Sequence, residues 1–582
     1  MIGFIFTGQV RASPLAALRE AYEAVRGPLA DAHILERGRG GVVVDAPADG
    51  SDPTWGDGRR SVAFVGRPRG LDGWGGRLED LDGQFALFCT EGRDRTVVAT
   101  DAFGMQAVFY AQTADLVVFS TSAIALARYI RATPLDTAAK VFLRAGYLFG
   151  SLTLWDGVER LEPGRALVVE NDKVTVTTYY RPRLLPEVQA LDLRGAVAST
   201  VDALVGACAA HLGQDEIWAD LTGGFDTRLM CLGLAAAGVP FRTNTVGSPD
   251  DADVRLGAAV AATAGWEWER ISPETVAPPD DRSWAEVGVA WSDGSLPMLQ
   301  VGRVLASHAV KAATGPRRLA NGGAFEHARG AAWLQEFHRG GRTSVVNMDN
   351  WIRMRCLHPM DMRPFAYDFT DEVEDEFRQR MLECSDSYRS ELNAVQLGVM
   401  LAYRHTGHFG AWSSTARAFI ETDLPAYFRH VFETMFSVQP ALRQHHSLQR
   451  HMLARLDPGV ASVRTTNGGP GAPLSPTNAV RFAPVYGRLA RRAAAKFAER
   501  LGWRPHSTKQ LLAPAEAIGA LAEVDRLGLL RADAPLASRV GHLLAPGSVA
   551  ALAEAVRGGD LGARDCIDRI VTLETAWGLS GA

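Results

Sequence analysis

Between Ile217 and Gly238 a short apolar run, IWADL, breaks at Thr222-Gly223-Gly224-Phe225-Asp226 and resumes as TRLMCLGLAAAG with helical spacing. A strand that leads through a tight glycine turn into a helix cannot close a hairpin; it calls for a parallel sheet with helices on its faces. The same turn gathers free backbone N–H groups and the positive end of a helix at one spot, which suits an anion such as phosphate. Gly223 and Gly224 permit close approach of the backbone, and Thr222 and Thr227 add hydroxyl donors. Asp226 is the odd member, because a carboxylate beside a phosphate is repulsive unless a magnesium ion lies between them. The turn therefore predicts a metal-bridged pyrophosphate, with a purely structural turn as the alternative reading.

At 582 residues the chain exceeds what one hydrophobic core organises, so two or more domains are expected. A formal net charge of -5 and 22% charged residues carry no dominant nucleic-acid or membrane footprint. The six cysteines show no CxxC pair or regular spacing, which predicts neither a zinc site nor a disulfide framework and fits a reducing, cytoplasmic setting. The start MIGFIFTGQVRASP is apolar for only about five residues, short of a signal-peptide core. No later run reads as the roughly 20 apolar residues of a membrane helix.

Three regions differ in texture. Residues 1–182 hold short β-branched and aromatic runs, such as GQFALFCTEGRDRTVVATDAFG, punctuated by Gly, Asp and Asn, as in an antiparallel β-rich domain. Residues 183–505 alternate long helical stretches with the apolar strands IWADL and FRTNTVG, the pattern of a parallel α/β sheet. Residues 506–582 are Ala- and Leu-rich with breaks at Pro535 and Pro546, and read as a small helical appendage. RTTNGGPGAPLSPTNAVRF, at 464–482, reads as a long loop. After it, residues 484–504 put Leu489, Ala493, Phe497 and Leu501 on one stripe and Arg488, Arg491, Arg492, Lys496 and Arg500 largely off it. That helix is either a packed helix with a solvated basic face or a docking surface for an acidic peptide or carrier. His445, His446 and His451 are too loosely spaced, and too poorly supplied with other ligands, to read as a zinc site.

LTGGFDTRL resembles the SGGxDS pyrophosphate loop of the asparagine synthetase-like ATP pyrophosphatases, which include asparagine synthetase B, β-lactam synthetase and lasso-peptide cyclases. Further stretches are similar in order and spacing over roughly residues 1 to 470. LDGQFALFCTEGRDRTVVATDAFGMQAVFYAQTADLVVFSTS resembles the family's glutaminase-domain signature, and GVERLEPGRALVV the segment that closes that domain. TNTVGSPDDADVRLGAAVA resembles the adenine-cupping strand and helix start, LANGGAFEHARG the second pyrophosphate element, and FIETDLPAYFRHVF the ExRxPFLD element. The resemblance implies a multidomain α/β and α+β chain. Its first domain would be an antiparallel β-rich, Ntn-hydrolase-like one (1–182), followed by an α/β ATP-pyrophosphatase (PP-loop) synthetase domain (183–505) and a helical extension (506–582).

Departures from the family pattern shape the functional expectation. Amidotransferase members begin with a cysteine nucleophile after Met removal, whereas Ile2 stands here and no cysteine precedes Cys89. Without that thiol glutamine hydrolysis is not expected, and the first domain should be inactive. The family's second magnesium-binding Asp falls on Phe325, with Glu326 adjacent as a substitute ligand. One partner of the family's proton-transferring dyad falls on Gly322 and the other on Glu421. The late R-x-K motif keeps Arg464 but has Thr466 for lysine, and His327 is a substitute proton shuttle.

The expectation is an ATP- and Mg2+-dependent, AMP- and pyrophosphate-forming ligase that adenylates a small-molecule or peptide carboxylate and passes the acyl group to an amine. Leu221, Thr222, Gly223, Gly224, Phe225, Asp226, Thr227 and Arg228 would hold phosphates together with Asn321, Gly322 and Gly323; Val246 and Gly247 would meet adenine. Asp226 and Glu326 would hold metal, and Glu421, Arg464 and His327 would serve catalysis. Arg303, Arg317 and Arg329 would add positive charge. A lasso-type peptide macrocyclase and a catalytically degenerate nucleotide-binding scaffold are the alternatives, and glutamine-dependent asparagine synthesis is not expected. Neither a membrane nor nucleic acid is an expected partner, and a homo-oligomer stays open.

Overall fold

A computed structural model of the chain describes residues 1–7, 12–29, 31–45, 47, 51–92, 94–213, 215–272, 276–330, 332, 345–357, 360–500, 514–530 and 538–581. Pro535, Leu501 and the side chains of Leu489, Arg492, Ala493, Lys496, Phe497 and Arg500 lie outside that description.

Strand alternation builds the N-terminal region as two stacked antiparallel sheets. The first runs in the order β10 (Glu159–Arg160), β8 (Phe109–Gln112), β9 (Leu116–Ser120), β1 (Ile2–Phe6), β3 (Gly40–Asp45), β2 (Ala32–Arg37). The second runs β12 (Lys173–Thr178), β11 (Arg165–Glu170), β7 (Arg95–Thr100), β6 (Asp82–Glu91), β5 (Arg60–Arg69), β4 (Thr54–Gly56). Ile5, Val42, Val117 and Phe119 of the first meet Ala63, Ala86, Phe88 and Val98 of the second, with Phe88 stacked on Phe119 at 5.3 Å. On β1 the alternate residues Ile2, Phe4 and Phe6 face the other way, onto helices Leu15–Arg26 and Ala123–Ile130. On β6 the alternate residues Phe85, Leu87 and Cys89 are covered by Leu71, Trp74 and Leu81.

The third sheet is parallel throughout, in the order β15 (Trp268–Ile271), β14 (Phe241–Val246), β13 (Ile217–Asp220), β16 (Arg318–Ala320), β17 (Glu421–Asp423). Ala219, Leu221 and Ala320 face a core shared with helices Leu193–Leu212, Asp226–Ala236 and Ala252–Ala264. Trp218 and Leu319 face the opposite way, toward helices Met298–Thr314 and Asn393–Ala416. The chain thus winds outward from β13 over one face, then returns to β16 and winds outward over the other. The carboxyl ends of β13 and β16 border the crevice where such sheets bind ligands.

Two expectations about helices change. Leu193–Leu212 is long and apolar enough to cross a membrane, against the sequence reading, and half of it is buried within the protein. Its Val197, Val201, Leu204 and Cys208 belong to the core of the parallel sheet. The terminal region is no appendage: helix Leu561–Ser580 carries Ile567, Ile570, Leu573 and Trp577 into the same core as helices Ala123–Ile130 and Asp136–Ala145. Trp577 Nε1 donates to Leu154 O at 3.2 Å, and Trp155 Nε1 to Ser580 Oγ at 3.0 Å. Sequence periodicity shows that a helix is amphipathic but not which surface its apolar face meets.

That terminal helix also buries a carboxyl. Asp568 is 1% exposed and Oδ1 accepts the Leu299 N–H at 2.9 Å. Burial pushes its carboxyl up to about 7, with Arg564 and Arg569 pulling against Asp565. The unfolded value is near 3.9, so its contribution to stability is complete below that pH and is lost as pH rises through 7. Asp568→Asn keeps an acceptor and cannot ionise; the melting temperature of the wild type relative to this variant should fall between pH 5 and pH 8, measured by calorimetry.

Candidate functional site

Helix Asp226–Ala236 begins without a side-chain cap, so its first N–H groups face the turn that precedes it. Within that turn the donors are tied internally. Thr222 N donates to Thr227 Oγ1 at 3.0 Å, Gly224 N to Thr222 Oγ1 at 3.2 Å, and Gly223 N to Asp253 Oδ1 at 2.9 Å. A Cβ on Gly223 would meet Thr466 Cγ2 at 2.6 Å and Leu256 Cδ1 at 2.7 Å, so the turn is closed over by neighbours on that side. The Leu221 and Phe225 side chains are core residues at 0% and 2% exposure, leaving only their backbones to a ligand.

The second turn, Asn321-Gly322-Gly323, leaves the neighbouring strand β16 and packs directly on the first. A Cβ on Gly322 would stand 2.8 Å from both the N and Cα of Thr227, an approach that only glycine allows. Asn321 Oδ1 accepts the Gly323 N–H at 2.9 Å, and Nδ2 donates to Asp220 Oδ2 at 2.9 Å. Beyond the turn, Arg329 Nη2 lies 3.7 Å from Asp226 Oδ2 and 3.5 Å from Glu326 Oε1. Asp226 Oδ1 also accepts from Gln449 Nε2 at 2.7 Å. Burial pushes the Asp226 carboxyl up to about 6, against the pull of Arg329 and with Glu326 adding to the rise. Glu326 Oε2 is buried without a hydrogen-bond partner among the described residues. Two carboxylates that share one guanidinium, one of them with an orphaned oxygen, form an oxygen-donor pair that fits a hard divalent cation. Phe325, at 0% exposure, is core.

Several candidate residues take other roles. Arg228, at 0% exposure, is a clamp and not a phosphate ligand: Nη1 donates to Val463 O at 2.9 Å, and Nη2 to Gly223 O at 3.1 Å and Arg464 O at 2.6 Å. Burial lowers its guanidinium to about 10. Those carbonyls fasten the 463–466 segment onto the turn, where Thr466 N also donates to Gly223 O at 3.0 Å. Arg464 has an exposed side chain beside the turn. The 464–482 segment, expected as a loop, is stitched down by Arg450 Nη1 to Pro470 O at 2.6 Å and by Ala472 N to Ala461 O at 2.7 Å. Arg488 of helix Ala483–Arg500 donates to Thr466 O at 3.3 Å, so one cation of the basic helix is engaged with this segment.

Glu421 lies on the face of the sheet opposite Trp218, Leu319 and Thr422. With Arg318 and Asp423 it points away from Thr422, toward Arg417 at 4.0 Å and the charge of Arg67 in the N-terminal region. His327 is 2% exposed, packed against Phe432 at 4.8 Å and His405 at 5.7 Å, and burial drives its imidazole down to about 3. It is a neutral core residue, not a proton shuttle. Arg317 is exposed at the amino edge of β16, away from both turns. His446 stacks on Phe225 at 4.6 Å and His451 Nδ1 contacts Ser447 O at 2.8 Å; no group of three metal-ligating side chains occurs among the described residues.

A cavity of about 460 Å³ opens at the same edge, between the Trp218 face of the sheet and helices Met298–Thr314 and Asn393–Ala416. Alternation brings Asp220, Val246, Leu319, Asn321, Thr422 and Leu424 from four strands to its wall, and Gly247 joins them. The helix Met298–Thr314 presents Gln300, Arg303, Val304, Ser307, His308 and Lys311, a stripe at helical spacing. Lys311, at 1% exposure, pairs with Asp220 Oδ1 at 2.7 Å. The sequence reading missed Asp220, His308, Lys311 and Thr422. The legible signal was a polar stripe on an otherwise apolar helix, and a lone acid in an apolar strand.

With that geometry in view, comparison with known proteins locates one family. Residues 71–180 match the glutamine amidotransferase domain. The N-terminal sheets are thus similar to an amidotransferase domain, and the matched stretch contains a single cysteine, Cys89. Cys89 is 2% exposed, and burial pushes its thiol up to about 12. The other five thiols, Cys208, Cys231, Cys356, Cys384 and Cys566, are raised by burial in the same way. No curated protein matches the chain. Among solved structures, the glutamine phosphoribosylpyrophosphate amidotransferase from B. subtilis complexed with ADP and GMP is 12% identical, covering 47% of this chain and 81% of that one with a TM-score of 0.22. A structure of the allosteric regulatory enzyme of purine biosynthesis is 12% identical, covering 43% and 66% with a TM-score of 0.22. At those scores neither bears on this chain.

The clamp is testable without a ligand. Arg228→Lys retains charge but cannot reach three carbonyls, and should cost about 3 kcal/mol, since hydrogen bonds to a charged donor contribute about 1.5–3 each. Thermal unfolding should show a lower midpoint, and hydrogen exchange should show lost protection in 463–472.

Proposed function

We propose that the chain is an ATP-dependent ligase, forming AMP and pyrophosphate, that activates a carboxylate and transfers it to an amine without drawing ammonia from glutamine. The observation that carries this reading is the abutment of two glycine turns at the crevice of a parallel sheet, with Asp226 and Glu326 converging on one guanidinium beside them. In the first half-reaction a carboxylate oxygen attacks the α-phosphorus of ATP and the bond to pyrophosphate breaks. In the second, an amine attacks the acyl carbon, AMP leaves, and the amine proton is released. Neither half needs a covalent protein intermediate; both need charge neutralisation.

Asp226 and Glu326 would hold magnesium, which when bound neutralises the pyrophosphate oxygens. The uncapped N–H groups of helix Asp226–Ala236 point at the same place. Gly322 and Gly323 supply a second backbone surface without side-chain bulk, and Val246 and Gly247 form one end of the cavity, where the base would rest. Arg464, exposed on the fastened segment, would approach the phosphates from outside. The buried Cys89 of the amidotransferase-type region is not an activated thiol, which supports a reaction that draws no ammonia from glutamine.

The internal capping of Thr222, Gly223 and Gly224 N–H groups favours a second reading, a nucleotide-binding scaffold without turnover. Carboxylate-dependent exchange of pyrophosphate into ATP separates the two. Exchange in the wild type, abolished in Asp226→Ala, supports the ligase; binding of a non-hydrolysable ATP analogue without exchange over a broad carboxylate panel supports the scaffold. At about 100 times its dissociation constant the analogue with magnesium should stabilise the wild type by about 2.7 kcal/mol, and Asp226→Ala not at all.

A further inference from the structure

The cavity beside β13, β16 and β17 is long and chemically divided. Adjacent strands stand about 4.8 Å apart, so the distance from Val246 on β14 to Thr422 on β17 spans three strand spacings. That is room for more than a nucleoside base at the Val246 end. At the middle lies the buried ion pair of Lys311 and Asp220, a cation and an anion side by side. At the far end are aromatic and aliphatic walls from Phe409, Trp412 and Leu424.

Three residues of the lining each keep a buried side-chain polar atom with no hydrogen-bond partner among the described residues: His308 Nδ1, Ser413 Oγ and Thr422 Oγ1. Their residues are 8%, 2% and 9% exposed. Buried polar atoms are almost always paired, so three orphans around one cavity point to a partner that completes them. All three are neutral groups, because burial holds the His308 imidazole down to about 3. The acids nearest this end, Glu421 and Asp423, face the other side of the sheet.

We infer that the cavity binds an α-amino acid with an aromatic side chain tipped by a neutral hydrogen-bonding group, of the tyrosine class. The Lys311 ammonium takes its carboxylate and the Asp220 carboxylate its ammonium, while the ring lies between Phe409, Trp412 and Leu424. The hydroxyl tip meets Ser413 and Thr422. An acidic side chain is disfavoured, since the groups offered to the tip, Ser413 and Thr422, are neutral hydroxyls. The inference deepens the ligase reading and rests on it only for the fate of the ligand.

Titration calorimetry of the full chain with L-tyrosine, L-phenylalanine and L-aspartate tests it. Tyrosine should bind at least about tenfold tighter than phenylalanine, the effect of one well-placed hydrogen bond, and aspartate should give no binding heat. Thr422→Val and Ser413→Ala remove only a hydroxyl; each should bring tyrosine close to phenylalanine while the thermal midpoint stays near wild type. Equal affinity for tyrosine and phenylalanine in the wild type, binding of aspartate, or unchanged tyrosine affinity in both variants would overturn the assignment. Tyrosine binding in this pattern without pyrophosphate exchange defeats the ligase reading and leaves the site standing. Exchange without tyrosine binding does the reverse.

Discussion

The geometry of the candidate site depends on the crevice between β13 and β16. The chain winds outward from β13 with helices on one face and from β16 with helices on the other, so among the described residues the connections diverge at the ends of these two strands. Two turns can therefore meet there, and the absence of a side chain at Gly322 lets them touch. A Cβ at that position would separate the Asn-Gly-Gly turn from helix Asp226–Ala236 and pull Glu326 away from Asp226. The abutting glycine turns and the carboxylate pair are thus consequences of one close backbone contact.

Buried charges organise what surrounds this crevice. Arg228 spends its guanidinium on three carbonyls and so binds the 463–466 segment to the glycine turn. Arg26 does the same across regions, pairing with Asp293 at 2.8 Å while donating to Thr121 O and Trp291 O. Asp293 in turn accepts from Ser122 Oγ and the Ile124 N–H, which fixes the N-terminal sheets against the helix Trp284–Ser292. A buried guanidinium with fewer acceptors would be costly, so these contacts hold elements distant in sequence in one arrangement. The N-terminal region then acts as a packed partner of the parallel sheet, its one thiol, Cys89, buried among apolar side chains.

Local signals in the sequence resolved the strand, glycine turn and helix at 217–236, with Asp226 at the helix start, and the β-rich character of the first 182 residues. They did not resolve side-chain destinations. Arg228 opens the helix beside the turn and reads as a phosphate ligand, yet its length carries it back to carbonyls more than two hundred residues away. Glu421 occupies a promising motif position, but a strand alternates faces, and register with Arg318 turns it away from the cavity. His327 stands beside Glu326 in sequence and under Phe432 in space.

What the sequence determined by itself is whatever depends on neighbours along the chain: the short β-branched and aromatic runs of the first 182 residues, the helical periods, and the turn at Gly223-Gly224. Only the tertiary structure decided which polar residues meet. Asp220 lies 91 residues from Lys311 and 101 from Asn321, and hydrogen-bonds to both because strand order and helix packing bring one face of the sheet against one stripe of a helix. The terminal helix was legible as a helix, and its burial beneath the N-terminal region was not. Local propensity acts over a few residues, whereas burial and pairing of charge are settled by contacts that exist only once the whole chain has folded.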